Sequence, residues 1–135
     1  MPTKAATAGA LQISVALAHI HPLVWRRLVR SPELTLADLH QIIQRAMGWQ
    51  GSHLHVFDVR GDEYGAPHPD DDPPVLDERG LTLREALPRV RSSLFYTYDF
   101  GDGWEHQVRL EARLPELVQL PGSLFPVQMV SGRPV

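Results

Sequence analysis

A single amphipathic helix with a clear start and a clear end is the feature that most constrains the fold. Thr35 and Asp38 have the spacing of a capping box, and Gly48 suits the position just after a helix. Between them, six apolar side chains lie on one stripe at helical spacing: Leu36, Leu39, Ile42, Ile43, Ala46 and Met47. Because such a stripe needs a second layer to pack on, the segments around the helix must supply a sheet or further helices.

Segments with the two-residue period of β-strands lie on both sides of this helix. Strands are predicted at 11–17, 24–30, 53–59, 94–100 and 104–114. In the last of them, Trp104, His106, Val108 and Leu110 share the side that we expect to face the core. The segment 53–59 is apolar on both sides, which indicates a strand in the interior of the sheet.

A second, short helix is predicted where Thr82 and Glu85 repeat the capping pattern and Pro88 ends it. The stretch 60–74 is rich in proline, glycine and aspartate, so it is predicted to be a loop. We expect 1–10 to be a flexible N-terminal tail, 11–114 to be a single domain and 115–135 to be an irregular C-terminal segment.

The resulting order, β-β-α-β-α-β-β, predicts an α+β fold. We expect a mainly antiparallel sheet of about five strands with one long and one short helix packed on one face. The opening β-β-α-β order is also that of a β-grasp fold, which makes this architecture a further prediction.

Composition and charge exclude several classes of protein. The chain has no cysteine, so disulfide scaffolds, thiolate metal sites and cysteine nucleophiles are excluded. No apolar run is long enough to cross a bilayer, and residues 1–10 lack the apolar core of a secretory signal. We therefore expect a cytoplasmic protein without a membrane partner. Because the net charge is −3, nucleic-acid binding would require a local basic patch.

Histidines form the main candidate polar cluster. His53 and His55 are two residues apart on one strand, so both project from the same face with Cα atoms about 7 Å apart. His106 lies on the expected core face, and His40 lies at the edge of the helical stripe. Two turn residues add carboxylates to this cluster: Asp99 and Asp102.

Three interpretations of this cluster stay open. His53, His55 and His106 are candidate ligands of a divalent metal such as zinc, since imidazole and carboxylate are its natural ligands. The same groups could instead form a structural hydrogen-bond network, or a metal-free ligand or acid–base site. A buried imidazole needs such partners, because an unmet polar group costs about 1–3 kcal/mol.

A second candidate site is a basic and aromatic surface on the strand 24–30. Arg26 and Arg30 share one face of that strand and could contact phosphates, with Trp25 available for stacking. The alternative is an edge strand that is protected by charge and by a salt bridge to an acidic residue.

Several ordered motifs resemble one family. They are PLVWRR (22–27), LADLH (36–40) with AMGW (46–49), SHLHVF (52–57), YG (64–65) and YTYDFGDGWEH (96–106). Together they resemble the plasmid pRiA4b ORF-3-like family, some of whose members carry the label "TnpR" as passenger proteins of insertion elements. The resemblance implies an α+β fold and a bacterial or archaeal setting near mobile DNA, and it implies no settled activity. Similar proteins continue into a Cys-Pro-Pro-Glu-Asp stretch, so the segment 115–135 is expected to be truncated relative to the family.

Two functions follow as hypotheses. The first is a non-catalytic binding or accessory module, associated with mobile elements or transposons, with a protein or nucleic-acid partner. The alternative is a small metal-dependent hydrolase or nuclease, in which His53, His55 and His106 hold the metal and Asp99 or Asp102 acts as ligand or base.

Overall fold

The chain folds into one sheet with helices packed against it. The computed structural model describes residues 9–19, 23–49, 54–72, 74–99 and 103–114. The strands are β1 (Ala10–Leu17), β2 (Val24–Arg30), β3 (His55–Val59), β4 (Asp62–Gly65), β5 (Leu76–Asp77), β6 (Ser93–Tyr98) and β7 (Trp104–Leu114). The helices are α1 (Leu36–Met47) and α2 (Leu83–Ala86), and a 3-10 turn covers Glu78–Gly80. Residues 1–8 of the predicted tail 1–10 and the whole predicted segment 115–135 lie outside the described residues, whereas Ala10 begins β1.

In these described ranges the sheet has seven strands in the order β2-β1-β7-β6-β3-β4-β5. Neighbouring strands run antiparallel, apart from the parallel pair of β4 and β5. The prediction of an α+β fold with a mainly antiparallel sheet is confirmed, whereas the prediction of about five strands is wrong. The position of β3 between β6 and β4 confirms that it is an interior strand. The comparison with a β-grasp fold stays a prediction.

The two additional strands lie at the far edge of the sheet; β4 falls within the predicted loop 60–74, and β5 follows it. Arg60 and Gly61 both have positive φ angles, of 52° and 91°, between β3 and β4. Two such residues in succession are typical of the tight hairpin turn that matches the twist of its strands. The prediction of a loop over 60–74 is therefore wrong for residues 62–65, because this short turn returns the chain as β4.

Both predicted helix caps are confirmed. Thr35 and Asp38 exchange side-chain and backbone hydrogen bonds in a capping box, and Gly48 ends α1 in the left-handed conformation at φ 79°. Thr82 and Glu85 form the same box at the start of α2. The two caps also pair with each other through the backbone, since Leu36 N donates to the Leu81 carbonyl at 2.9 Å.

One face of the sheet carries the core, and we call it the inner face. Ile13, Leu28, Tyr96 and Leu110 project from it into a single buried cluster that also contains both helices. From α1 the fully buried members of this cluster are Leu36, Leu39 and Ile43. The residues that alternate with these strand positions form the opposite face, which we call the outer face. No helix in the described ranges has the length and apolar character needed to span a membrane.

Candidate functional site

Two stacked histidines lie between α1 and the sheet. The ring centroids of His40, on α1, and His55, on β3, are 3.6 Å apart, and the ring planes differ by 9°. His55 Nε2 also lies 2.7 Å from Glu78 Oε1, and both of these side chains are about nine-tenths buried. The helix, the interior strand and the 3-10 turn are thus joined by one histidine pair and one carboxylate.

The Tyr96 hydroxyl contacts two side chains of α1, one of which is the stacked His40. His40 Nδ1 lies 2.6 Å from the hydroxyl, and the Gln44 amide donates to the same oxygen at 2.9 Å. Burial, followed by the nearby His55, lowers the pKa of His40 to about 4. The ring is therefore neutral near pH 7, so its Nδ1 can accept the Tyr96 proton. Burial also raises the pKa of Tyr96, which keeps that proton on the phenol.

His106 is the most deeply buried histidine among the described residues, with no exposed surface. Its Nδ1 lies 3.2 Å from the Tyr96 carbonyl oxygen, and burial lowers its pKa, so a neutral ring donates from this nitrogen. Its Nε2 has no hydrogen-bond partner in the described part of the chain. Trp49 meets the ring edge-on, with centroids 5.2 Å apart.

The structure brings some of the predicted cluster together. His40 and His55 stack, while the Tyr96 ring lies beside both His55 and His106, with centroids 5.9 and 5.3 Å away. Asp99 lies just after β6 with φ 62°; its N–H donates to the Leu54 carbonyl and its carbonyl accepts from Gly103 N, as expected of a turn residue. His53 and Asp102 lie outside the described residues. Among the side chains that are described, no three histidines or acids are placed to share a metal ion.

Three polar residues of this site were not predicted from the sequence: Gln44, Glu78 and Tyr96. Gln44 did leave a signal, because it follows His40 by one helical turn and interrupts the apolar stripe. Tyr96 begins the motif 96–106, but the sequence alone assigned it no contact. Glu78 has no local signal, since only the tertiary fold brings the 3-10 turn against β3.

The residues of the predicted basic and aromatic surface point in different directions. Arg26 donates from Nε to the Ala46 carbonyl at 3.2 Å and so satisfies the end of α1. Burial and the nearby Arg45 lower the pKa of Arg30, which shares the inner side of β2. Trp25 lies on the outer face, only 3% exposed.

The position of β2 and its ion pair agree with the second interpretation of this segment, an edge strand that is protected by charge and by a salt bridge. It is the terminal strand of the sheet on one side. Arg27, adjacent to Trp25, binds Glu111 through two hydrogen bonds of 2.7 and 3.2 Å and places its guanidinium 4.8 Å from the Trp25 ring centroid. Trp25 Nε1 is buried without a hydrogen-bond partner in the described ranges.

A groove of about 590 Å³ opens on the outer face. Its floor is made by small side chains of β1, Ser14 and Ala16, which leave space that larger residues would fill. Its walls include Trp25, Arg91 and Arg109. The volume falls within the usual range of ligand pockets, of about 300–1,000 Å³.

Comparisons with known proteins agree with the motifs. The pattern of the plasmid pRiA4b ORF-3-like protein family matches residues 9–131. The uncharacterized protein y4hQ of Sinorhizobium fredii is 38% identical over 109 residues, which are 80% of this chain and 56% of that protein. The chain thus spans little more than half the length of this relative.

A solved structure shows the same fold. It is the crystal structure of the protein of unknown function MM3350 from Methanosarcina mazei Go1, with a TM-score of 0.78 and 31% sequence identity. The match covers 94% of this chain and 71% of that one. By its motifs, its family match and this structural likeness, the chain belongs to the plasmid pRiA4b ORF-3-like family.

Proposed function

We propose that the chain is a non-catalytic binding module that holds its partner in the groove on the outer face. The observation that carries this proposal is Trp25, which lines the groove while its buried Nε1 has no acceptor in the described part of the chain. An unsatisfied buried donor costs about 1–3 kcal/mol, and a partner would recover that free energy by reaching this buried atom with an acceptor.

The inner polar cluster supports a non-catalytic role. His40 contacts Tyr96, His55 contacts Glu78, and His106 contacts the Tyr96 carbonyl, so each ring already has a partner in the protein. A general base works best with a pKa near the operating pH, whereas burial holds His40 neutral with a pKa of about 4. His40 and His55 therefore fasten α1 and the 3-10 turn to the sheet, and the groove on the outer face is a separate place for recognition.

The accessory role beside mobile DNA and the cytoplasmic location are part of the same proposal. They rest on the family resemblance and on the composition of the chain. A protein or a nucleic acid is the class of partner that such a module would bind.

Affinity enrichment from a bacterial extract tests the groove. Ala16→Trp would fill its floor from the outer face, and Trp25→Phe would remove the Nε1 donor while keeping an aromatic ring. His40→Gln serves as a matched control on the inner face. Bound protein and nucleic acid are quantified by mass spectrometry and absorbance, and the melting temperature confirms that each variant is folded.

The proposal predicts a component that wild type and His40→Gln both retain, and that both groove variants lose. Retention that is equal for all four proteins, or no retained component at all, would refute the groove as the binding site.

One observation favours a second candidate, a small metal-dependent hydrolase or nuclease. Nε2 of buried His106, which has no partner among the described residues, carries a lone pair when Nδ1 holds the proton, and this is the kind of atom that binds zinc. His53, His55 and His106 remain the proposed ligands, and Asp99 or Asp102 the proposed ligand or base. A bound metal would supply an activated water.

Elemental analysis of tag-free protein tests this candidate, together with melting curves in zinc, manganese or EDTA. The same curves are measured for His53→Ala and His55→Ala. Metal near one equivalent per chain, with a stabilisation that both variants lose, would support the hydrolase. Metal-free protein whose variants melt lower in every buffer would eliminate it.

A further inference from the structure

We infer that the outer face binds single-stranded nucleic acid, with an arginine rim on the phosphates and Phe95 stacked on a base. The arginine rim consists of Arg89, Arg91 and Arg109, all exposed. This inference rests on the proposed function, because it names the class of partner that the groove would take.

The three guanidiniums of the rim are open to a ligand. Within the described part of the chain, none of them lies within 4.0 Å of a carboxylate. The acid that lines the groove, Glu111, is bound by Nε and Nη2 of Arg27 and also feels the charge of Arg109. An anion that enters the groove therefore meets arginines that form no ion pair within the described part of the chain.

Backbone hydrogen bonds fix where the rim lies. Arg91 N donates to the Leu110 carbonyl at 2.8 Å, and Leu110 N donates to the Ser92 carbonyl at 2.9 Å. These bonds place Arg91 beside β7, next to the position of Arg109. Arg91 and Arg109 line the groove, while Arg89 and Arg91 line a second hollow at the same turn.

Two further arginines strengthen the local charge. Arg60 donates to the carbonyls of Ala86 and Glu85, and Arg113 donates to the Pro88 carbonyl. Their acceptors are uncharged carbonyl oxygens, in α2 for Arg60 and just before the turn for Arg113. The region is thus basic in a chain whose net charge is −3, and this is the local patch that phosphate binding requires.

Phe95 supplies an aromatic ring on the same face. It is 41% exposed, which is unusual for a phenylalanine in the middle of a sheet. It pairs with Gln107, and Arg109 pairs with Ser93, so Phe95 and Arg109 are diagonal neighbours. Diagonal positions lie about 7–8 Å apart, within the reach of one nucleotide.

The exposed Phe95 ring and the arginine rim together favour single-stranded nucleic acid over an acidic peptide or a duplex. An acidic peptide would use the arginines but has no need of an exposed ring, whereas an unstacked base gains from stacking on an aromatic side chain. A duplex keeps its bases stacked on each other and so cannot use Phe95. Asp58, opposite Phe95 on β3, places negative charge on the side away from the rim, so the phosphates are directed to the arginines.

Fluorescence anisotropy with a labelled thymidine oligonucleotide of about 20 nucleotides tests the inference. Three phosphate contacts predict a slope of log affinity against log salt of about −2, or about twentyfold weaker binding at 200 mM than at 50 mM. The double variant Arg91→Ala with Arg109→Ala should bind at least about tenfold more weakly at low salt and lose about two-thirds of that slope. Phe95→Ala should weaken binding about tenfold, and Phe95→Tyr should restore it.

Matched controls lie elsewhere on the surface. Arg79→Ala removes an exposed arginine that is paired with Asp77, and Leu54→Ala removes a side chain that is 70% exposed. Neither should change the affinity. Equal weakening by Arg79→Ala, equal affinity for a duplex of the same sequence, or equal displacement by polyglutamate would each overturn the inference.

Failure of this inference and failure of the proposed function are distinguishable. If the oligonucleotide does not bind at low salt, single-stranded nucleic acid is ruled out as the partner. The groove itself is refuted by the enrichment experiment, either when all four proteins retain the same components or when none retains any.

Discussion

The inner and outer faces are built from the same strands, but they differ in the burial of their side chains. Polar groups on the inner face are buried and hydrogen-bonded, whereas the outer face exposes side chains to solvent. On the inner face Tyr96 and His106 are buried, and their polar atoms are bound mainly to each other and to α1. The adjacent residues, Phe95 and Gln107, are on the outer face, where Phe95 is 41% exposed. Alternation along a strand thus separates a network that holds the fold from a surface that is available for binding.

This difference determines what a substitution should do. A buried polar group that loses its partner costs about 1–3 kcal/mol, because water cannot replace the lost hydrogen bond. An exposed group is solvated again, so its removal changes stability by about 0.5 kcal/mol or less. Inner-face variants should therefore be detected by unfolding, and outer-face variants by binding.

The largest effect is expected when the Tyr96 hydroxyl is removed. In Tyr96→Phe, His40 Nδ1 loses its partner and Gln44 loses one acceptor, while the shape of the core is unchanged. We expect a loss of about 2–3 kcal/mol in the free energy of unfolding, measured by urea denaturation. Tyr64→Phe, at the periphery of the core, is the matched control and should change stability little.

Equal losses for these two tyrosines, which both lie on the inner face, would show that the polar network around Tyr96 adds no stability of its own. A large loss for Tyr96→Phe alone would show that the hydroxyl is a structural member of the cluster.

The next largest effect is a dependence of stability on pH. The pKa of His40 is lowered to about 4 in the fold by burial and by His55, against the opposing charge of Glu78, and the ordinary value is 6.5. Well above pH 6.5 neither state binds a proton here, so the full stability is present. As the pH falls from 6.5 to 4, the unfolded chain gains a proton and the folded chain does not, which costs on the order of 2 kcal/mol.

His40→Gln should remove the His40 part of this dependence while it keeps a polar side chain near Tyr96, and the part that comes from buried His106 should remain. The measurement is the free energy of unfolding of both proteins at pH 7.5 and at about pH 4.5, which lies within the window set by the two pKa values. If wild type and His40→Gln lose the same stability on acidification, His40 does not contribute in the way that its burial indicates.

Much of the fold was predictable because its signals are local. The caps at Thr35 and Thr82, the stop at Gly48 and the alternation along β7 each depend on residues close together in sequence. The strand β4 was missed because its hairpin turn uses Arg60 at a positive φ angle, where glycine or asparagine is the usual signal.

The candidate site was less predictable because its contacts are distant in sequence. The histidines were found by residue type, yet the acid that pairs with His55 is Glu78, in a segment that carried no motif. The arginine rim was missed as well, because Arg89 and Arg91 belong to a turn and Arg109 to a strand. Only the pairing of that turn with β7 brings them together.

The smallest effect is expected for the ion pair of the outer face. Glu111 accepts from Arg27 and Gln12, and the hydrogen bond from Arg27 is the main cause that lowers the pKa of its carboxyl group. Glu111→Gln should cost less than about 1 kcal/mol near pH 7, since the pair is partly solvated. For wild type this contribution is present above the ordinary pKa of a glutamate and is lost as the pH falls through the depressed value.

Asp77→Asn, at a more exposed pair with Arg79, is the control and should have no measurable effect on urea denaturation. A loss for Glu111→Gln as large as that for Tyr96→Phe would show that the outer face also holds the fold together, and the separation of roles between the two faces would then fail.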